Sequence, residues 1–425
     1  MRRPNHESCC PKHMSWFSHP STSVNLSQRT LLYSTLCILV SAVLLVVTYL
    51  AHAQSVPGRL PSTVRMDGRV ALNSTSDGAS ASVVSSPGTA QSGSRRWPAE
   101  TARTWFSKQA LPLGFNYIPS TAINTTEMWQ KETFDPATIE REMHAAASVG
   151  FNCARVFLQY VVWENDPAGL KARMRTFMEI ATRNHIKIIW VFFDDCTFST
   201  VIDPHLGKQA DVIPGEYANG WTPSPGETRV IDQASWKGLK GYVTDLMMAF
   251  RSDSRILAWD LYNEPGNSNM ENKSLPMLKA VFAWARAVGA SQPITAGIWK
   301  RQLTDIDKVI LENSDIVTFH NYGGPDAMTH EIDQLARESR PMICTEWLAR
   351  QNGSTVANIL PILYSRHVGG TIWGLVNGKT QTNYHWGSKA GSPAPALWQH
   401  DIFHGDMTYY DPNEITLFQH YAGMK

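Results

Sequence analysis

A chain of 425 residues, 43% hydrophobic and 18% charged, with a formal net charge of +1, has the composition of a globular protein. It carries neither the basic excess of a nucleic-acid binder nor the acidic block of a solvating tail, so charge-driven association is excluded. Its 15 Trp, 15 Phe and 13 Tyr suit a large core and flat apolar binding faces.

The first 100 residues of the chain read in three parts. Residues 1–30 are a polar tail. Leu31–Ala51 is an uncharged, mostly apolar run long enough to cross a bilayer as a helix. Ala51-His52-Ala53-Gln54 follows it and resembles the small-x-small site of a cleaved signal. Residues 31–53 are therefore expected to be a signal anchor; a cleaved signal peptide and a soluble core helix are the alternatives. Lys12 and Arg29 upstream against Arg59, Arg65 and Arg69 downstream leave the positive-inside count undecided. The large C-terminal part is expected outside the cytoplasm, membrane-anchored through residues 31–51, or secreted if the segment is cut. Residues 54–100, rich in Ser, Gly and Thr, form a flexible linker unable to bury a core.

Residues 101–425 alternate short apolar runs with amphipathic stretches. Eight strands are expected: Leu111–Pro119, Phe151–Leu158, Ile186–Asp194, Ile256–Glu264, Pro293–Trp299, Asp315–Tyr322, Pro341–Leu348 and Gly370–Val376. Each is nearly continuous in apolar residues, as a parallel strand covered on both faces should be. Asp135-Pro136 supplies a cap and a first-turn proline for one helix, and Gly150 its stop. Trp236, Leu239, Val243, Leu246, Met247 and Phe250 make the apolar face of another, over Asp232–Arg251. Leu170–Met178, Met277–Val288, Thr304–Leu311, Ala327–Leu335 and Val356–Tyr364 complete the alternation. The expected fold is an α/β (β/α)8 TIM barrel, with a doubly wound sheet as the alternative. Cys196–Ile231 and Asn377–Pro412 exceed the length of a barrel connection, and their Trp and Tyr content suits the walls of a cleft.

Polar residues recur at the same ends of these strands. Arg155 lies late in the second; Asn263 and Glu264 end the fourth, where Pro265-Gly266 breaks the ladder. His320 and Tyr322 end the sixth, Glu346 the seventh, and Trp373 lies in the eighth. The C-terminal rim is where a barrel of this type carries its chemistry. Buried carboxylates are costly, so two around one pocket need a reason. The fourth and seventh strands face each other across an eight-stranded barrel, and a carboxyl pair so placed fits double displacement at a glycosidic bond. In that reading Glu346 is the nucleophile, kept ionised by Arg155 with hydrogen bonds from Tyr322 and Asn263. Glu264 is the acid/base in a drier place, and Asn263 is also set to bond a sugar hydroxyl. Trp373 makes the floor under the sugar, with Trp386 and Trp398 as further platforms.

Residues 111–420 resemble glycoside hydrolase family 5. The resemblance rests on Arg155 in NCARVFLQYVVW, on Asn263-Glu264-Pro265, on FHNY with His320 and Tyr322, on Glu346 in ICTEW and on Trp373 in GTIWG. It implies Glu264 as acid/base, Glu346 as nucleophile, and Arg155, Asn263, His320, Tyr322 and Trp373 around the sugar at the cleavage point. One departure stands out. The family usually has a histidine near the end of the third strand, and here, in WVFFDDC, Asp194 or Asp195 takes its place, able to accept from a sugar hydroxyl or to hold Arg155; Asp195 is expected among the residues that meet the substrate. The substrate is expected to be a β-linked polysaccharide or oligosaccharide such as glucan, mannan or xylan. A membrane-tethered carbohydrate-binding protein on an inactive barrel is the alternative. No nucleic acid, cofactor or metal is expected: a metal centre needs a His and Asp cluster, for which only His320 and Asp194 or Asp195 are available. Cys153, Cys196 and Cys344 show no spacing for a disulfide framework or a zinc site.

Overall fold

In a computed structural model of the protein, residues 95–300 and 302–424 are described. The apolar run Leu31–Ala51, its flanking tail and the linker up to residue 94 lie outside the described residues. Among the described residues no helix is long and apolar enough to cross a membrane.

Among the described residues nine strands form one parallel sheet: β1 (Leu113–Tyr117), β2 (Cys153–Phe157), β3 (Lys187–Asp194), β4 (Ile256–Asn263), β5 (Ile294–Thr295), β6 (Gly297–Ile298), β7 (Val317–His320), β8 (Met342–Trp347) and β9 (Gly369–Ile372). Their order is β5-β4-β3-β2-β1-β9-β8-β7-β6. Only Ala296 separates β5 from β6, so the two are halves of one barrel strand and the sheet closes on itself. The result is the expected (β/α)8 barrel: β4 is its fourth stave, β7 its sixth and β8 its seventh. Every strand lies inside the apolar run from which it was expected, except that β9 starts one residue early.

The closure demands close backbone approach. A Cβ on Gly114 of β1 would stand 1.8 Å from the Cys153 carbonyl oxygen of β2, so this stave tolerates no side chain there.

Helices cover the outer face as their capping signals direct. Asp135 accepts from the Thr138 N–H ahead of Pro136–Val149, and Gly150 ends that helix at φ +92°. Asp166 caps Pro167–Arg183 in the same way, well beyond the expected Leu170–Met178. Each such cap stabilises its helix by about 1 kcal/mol. Trp236–Phe250 buries Leu239, Val243, Leu246, Met247 and Phe250, the face read from the sequence. Pro412–Tyr421, for which no helix is expected from the sequence, is a further helix that packs Phe418 onto Phe151 and Trp347.

The two ends of the barrel differ. Helix Ala99–Phe106 closes the N-terminal end, packing Ala102, Phe106, Trp97 and Trp105 against Cys153, Ile189, Ala258, Ile316 and Ile343 from the lower parts of the staves and their approaches. Polar ties fix this plug, with the Trp97 N–H donating to Asp315 and Arg340 donating to the Trp97 carbonyl. The opposite end stays available for polar side chains.

Candidate active site

The acid residue at the end of β4 is held by its turn. Glu264 has φ +42° and Gly266 φ +87°, so the chain reverses immediately after the strand. A left-handed glutamate costs on the order of 1–2 kcal/mol and persists only where its surroundings over-determine it. Asp195 is the group that does so: its carboxylate accepts from the Gly266 N–H at 2.7 Å and from the Ser274 hydroxyl, while the Tyr262 hydroxyl donates to it at 2.7 Å. Asp195 had been expected to meet the substrate. Its oxygens are instead taken up by the loop it clamps, and burial pushes its pKa to about 7.

Glu346 is positioned by an irregularity in the ladder. The register shifts between β7 and β8 at Phe319/His320 and between β8 and β9 at Cys344/Trp347. The extra residue, Thr345, offers its carbonyl to the Asn116 amide at 2.7 Å and to the Thr371 hydroxyl at 2.6 Å. Such a bulge re-aims the neighbouring side chain.

Arg155 joins the two staves from beneath. Fully buried on β2, it donates to Glu346 Oε1 at 2.7 Å, to Asp260 Oδ2 at 2.9 Å, to Asn116 Oδ1 at 2.9 Å and to Asn263 Oδ1 at 2.7 Å. Burial works against its charge, but Asp260 and Glu346 outweigh it and the guanidinium stays protonated. The Tyr322 hydroxyl donates to Glu346 Oε2 at 2.7 Å. Asn263 does not reach Glu346, contrary to expectation: its amide bonds Arg155 on one side and Asp194 Oδ1, at 2.8 Å, on the other.

Glu264 has weaker donors. The Cys196 thiol lies 3.2 Å from its Oε2, the Asn267 amide bonds the same oxygen, and His320 Nδ1 is 2.6 Å from Oε1. His320 Nδ1 is also 3.4 Å from Glu346 Oε2. Burial lowers the His320 pKa to about 4, so the ring is neutral at ordinary pH, and its Nε2 has no hydrogen-bond partner. Burial raises both glutamates. The pair titrates jointly, and the guanidinium and phenol on Glu346 favour leaving the charge there and the proton on Glu264.

One carboxylate oxygen of Glu264, one of Glu346 and one ring nitrogen of His320 lie within 4.8 Å of one another. The same three atoms have the spacing of a metal site. The positive charge of Arg155 already bound to Glu346 opposes a cation there, and the donors named above occupy the carboxylates.

Aromatic rings wall the gap. Trp373 stands edge-on to Phe157 and Trp221, with centroids 5.9 and 5.6 Å away, and its indole N–H meets the Tyr217 hydroxyl at 3.0 Å. Trp386 packs edge-on against Tyr322 at 5.0 Å. Trp398, by contrast, is buried in a stack on Tyr410 with centroids 4.7 Å apart and is no platform. Thus Arg155, Asn263, Glu264, His320, Tyr322, Glu346, Trp373 and Trp386 come together, while Asp195 and Trp398 stand behind. The sequence reading missed Cys196, Asn116 and Asp260 as members. Cys196 directly follows Asp194, the last residue of β3, and Asp195, but nothing local distinguishes a thiol that faces the rim from one that faces the core.

A family model for cellulases of glycosyl hydrolase family 5 matches residues 114–378, well over half of the chain. A comparison with curated proteins gives no match. Among solved structures, the exo-β-1,4-mannosidase Op5Man5 from Opitutaceae bacterium strain TAV5 is similar at 15% identity and a TM-score of 0.52, over 79% of this chain and 62% of that one. The chain thus spans less than two thirds of that mannosidase. A β-glucosidase, 1317, is similar at 13% identity and a TM-score of 0.50, over 74% of this chain and 99% of that one. A GH5_18 variant from Streptomyces cattleya, in complex with Manb1-4GlcNAc, is similar at 12% identity and a TM-score of 0.50, over 73% and 80%. At these identities the solved structures show a shared fold, and the family match over most of the barrel shows more: the chain belongs to glycosyl hydrolase family 5.

Proposed function

We propose that the protein is a retaining β-glycoside hydrolase acting on a β-linked polysaccharide or oligosaccharide. The observation that carries the proposal is the approach of the Glu264 and Glu346 carboxylates to within 4.8 Å. Retaining glycosidases hold their carboxyls about 5–5.5 Å apart, whereas inverting ones need about 6.5–9.5 Å to admit a water.

In the first step a Glu346 oxygen attacks the anomeric carbon as the glycosidic C–O bond breaks, and Glu264 gives its proton to the leaving oxygen. As the glycosyl ester forms, the charge on Glu346 disappears and Glu264 is left ionised. Glu264 then takes a proton from water, whose oxygen attacks the same carbon and releases Glu346. Arg155 and Tyr322 stabilise the nucleophile as an anion before and after the cycle. Asn263, fixed between Arg155 and Asp194, is placed to bond the sugar beside the reacting carbon. Trp373 forms the face on which the ring lies. The same proposal puts the catalytic unit outside the cytoplasm, tethered through residues 31–51 or released by a cut near Ala53, where polymeric substrate is met.

The test is the anomeric configuration of the first product, read by proton NMR during hydrolysis of an aryl β-glycoside, with trapping by a 2-deoxy-2-fluoro glycoside. The β-anomer and a glycosyl adduct on the peptide holding Glu346 are expected, with turnover abolished in Glu264→Ala and Glu346→Ala. An initial α-anomer, or unchanged turnover in either variant, overturns the proposal.

A further inference from the structure

The two long connections, residues 195–226 after β3 and 377–411 after β9, belong to staves separated by β1 and β2, yet they are bonded to each other. The Ala218 N–H donates to the Thr380 carbonyl at 2.8 Å, and the Gly391 N–H to the Pro214 carbonyl at 2.8 Å. The Gln381 side chain accepts from the Gly215 N–H at 3.0 Å and donates to the Ile213 carbonyl at 2.7 Å and the Glu216 carbonyl at 2.9 Å. The Ser388 hydroxyl accepts from the Tyr217 N–H at 3.0 Å.

The β1 connection is built into the same wall. The Lys379 N–H meets the Ser120 carbonyl at 3.0 Å, and the Asn124 amide meets the Gly220 carbonyl at 3.0 Å. The three segments touch backbone to backbone. A Cβ on Gly215 would stand 2.5 Å from the Ser392 nitrogen, and one on Gly378 would stand 2.4 Å from the Ser120 Cα. Glycine is required at both places because a side chain would part the segments.

The position of this bridge relative to the chemistry gives it meaning. The leaving group departs on the Glu264 side, so the sugar retained over Glu346, and anything joined to its non-reducing end, lies on the other side. That is the side of Trp373, Tyr217 and Trp386. Trp373 is bonded to Tyr217, itself part of the bridge, and Trp386 leans on Tyr322, which holds Glu346. Behind Trp373, the recess it shares with Asn116, Phe157, Trp221, Thr382 and Asp401 has room for about one water molecule. The Trp373 indole is thus backed by packed side chains and stands as a fixed part of that wall.

We propose that the bridge makes the enzyme exo-acting: it accepts one terminal sugar at the non-reducing end and releases units one at a time. This rests on the hydrolase reading above and adds the position of attack along the chain. The experiment uses the full chain with β-1,4-linked glucose, mannose and xylose hexasaccharides, labelled at the reducing end, and follows labelled products at early times. Expected are free monosaccharide and a labelled product one unit shorter, with shorter labelled products only later. Loosening the bridge with the double variant Gln381→Ala/Ser388→Ala, neither residue being in the catalytic cluster, should add labelled products cut internally from the first time point. Internal cuts by the unaltered chain at early times would overturn the exo inference and leave the hydrolase reading standing. Absence of turnover on every hexasaccharide and on aryl β-glycosides would overturn both.

Discussion

The Cys196 thiol lies 3.2 Å from Glu264 Oε2 and 3.6 Å from the Asn263 amide nitrogen, so a sulfur sits between the proposed acid/base and the residue before it in sequence. A thiol is a weak donor, and a weak donor suits a carboxyl that must both hold and lose a proton. Its bond favours the ionised form of Glu264, against the larger effect of burial, which favours the protonated one. Removing it in Cys196→Ala should therefore raise the Glu264 pKa and move the basic limb of the kcat/KM profile to higher pH. The optimum rate should stay within about tenfold. Cys196→Ser keeps a donor and should leave that limb where it is or move it down. An unmoved basic limb in Cys196→Ala would show that the thiol does not tune the acid.

Tyr322 acts on the other carboxyl. Tyr322→Phe removes the 2.7 Å bond to Glu346 Oε2 and with it one stabiliser of the anion. The Glu346 pKa should rise, so the acidic limb should move to higher pH while the basic limb stays. A hydrogen bond to a charged group is worth about 1.5–3 kcal/mol, so kcat/KM at the optimum should fall about 10- to 100-fold. pH–rate profiles of the two variants side by side separate these effects.

Arg155 holds the whole arrangement. It is the buried cation against two buried carboxylates, with Asp260 at 2.8 Å and Glu346 at 2.7 Å. Arg155→Ala leaves both without a counter-charge and should destabilise the fold by about 3–5 kcal/mol. Arg155→Lys retains charge but cannot fork to Asn116, Asp260, Asn263 and Glu346 at once. It should recover part of the stability and little of the turnover. Thermal unfolding and kcat measured on both variants check the split.

Asp401 gives a pH signature to stability. It is fully buried, its carboxylate bonded to the Thr382 hydroxyl, and burial raises its pKa from 3.8 to about 7. Between these values the folded chain keeps a proton that the unfolded chain has lost. Unfolding free energy therefore falls as pH rises through this window. Asp195, also raised to about 7, contributes with the same sign. Asp401→Asn should flatten the decline in Tm between pH 4 and pH 7 without abolishing it. A Tm decline as steep as that of the unaltered chain would show that Asp401 ionises freely.

The barrel was legible in the amino-acid sequence because each stave is buried on both faces, which forces near-continuous apolar runs, and because Asp-Pro starts and glycine stops mark local helix ends. The residues brought to the C-terminal rim were legible for a related reason: a polar residue at the end of an apolar strand has few places to point. Side-chain partnership was not legible. Asn263 was expected to bond Glu346 and instead bonds Arg155 and Asp194; Asp195 was expected at the substrate and instead clamps the turn of Glu264; Trp398 was expected as a platform and is buried on Tyr410. These outcomes depend on which of two adjacent residues faces inward and on bulges such as that at Thr345, neither of which leaves a periodic trace. The bridge between residues 195–226 and 377–411 lies further still from sequence, since its bonds join segments more than 160 positions apart, largely through backbone atoms that every residue shares. Sequence by itself determined the staves and the chemical groups at their tips. Tertiary structure decided which groups hold one another and which side of the gap is walled, because those depend on distances that only the closed barrel sets.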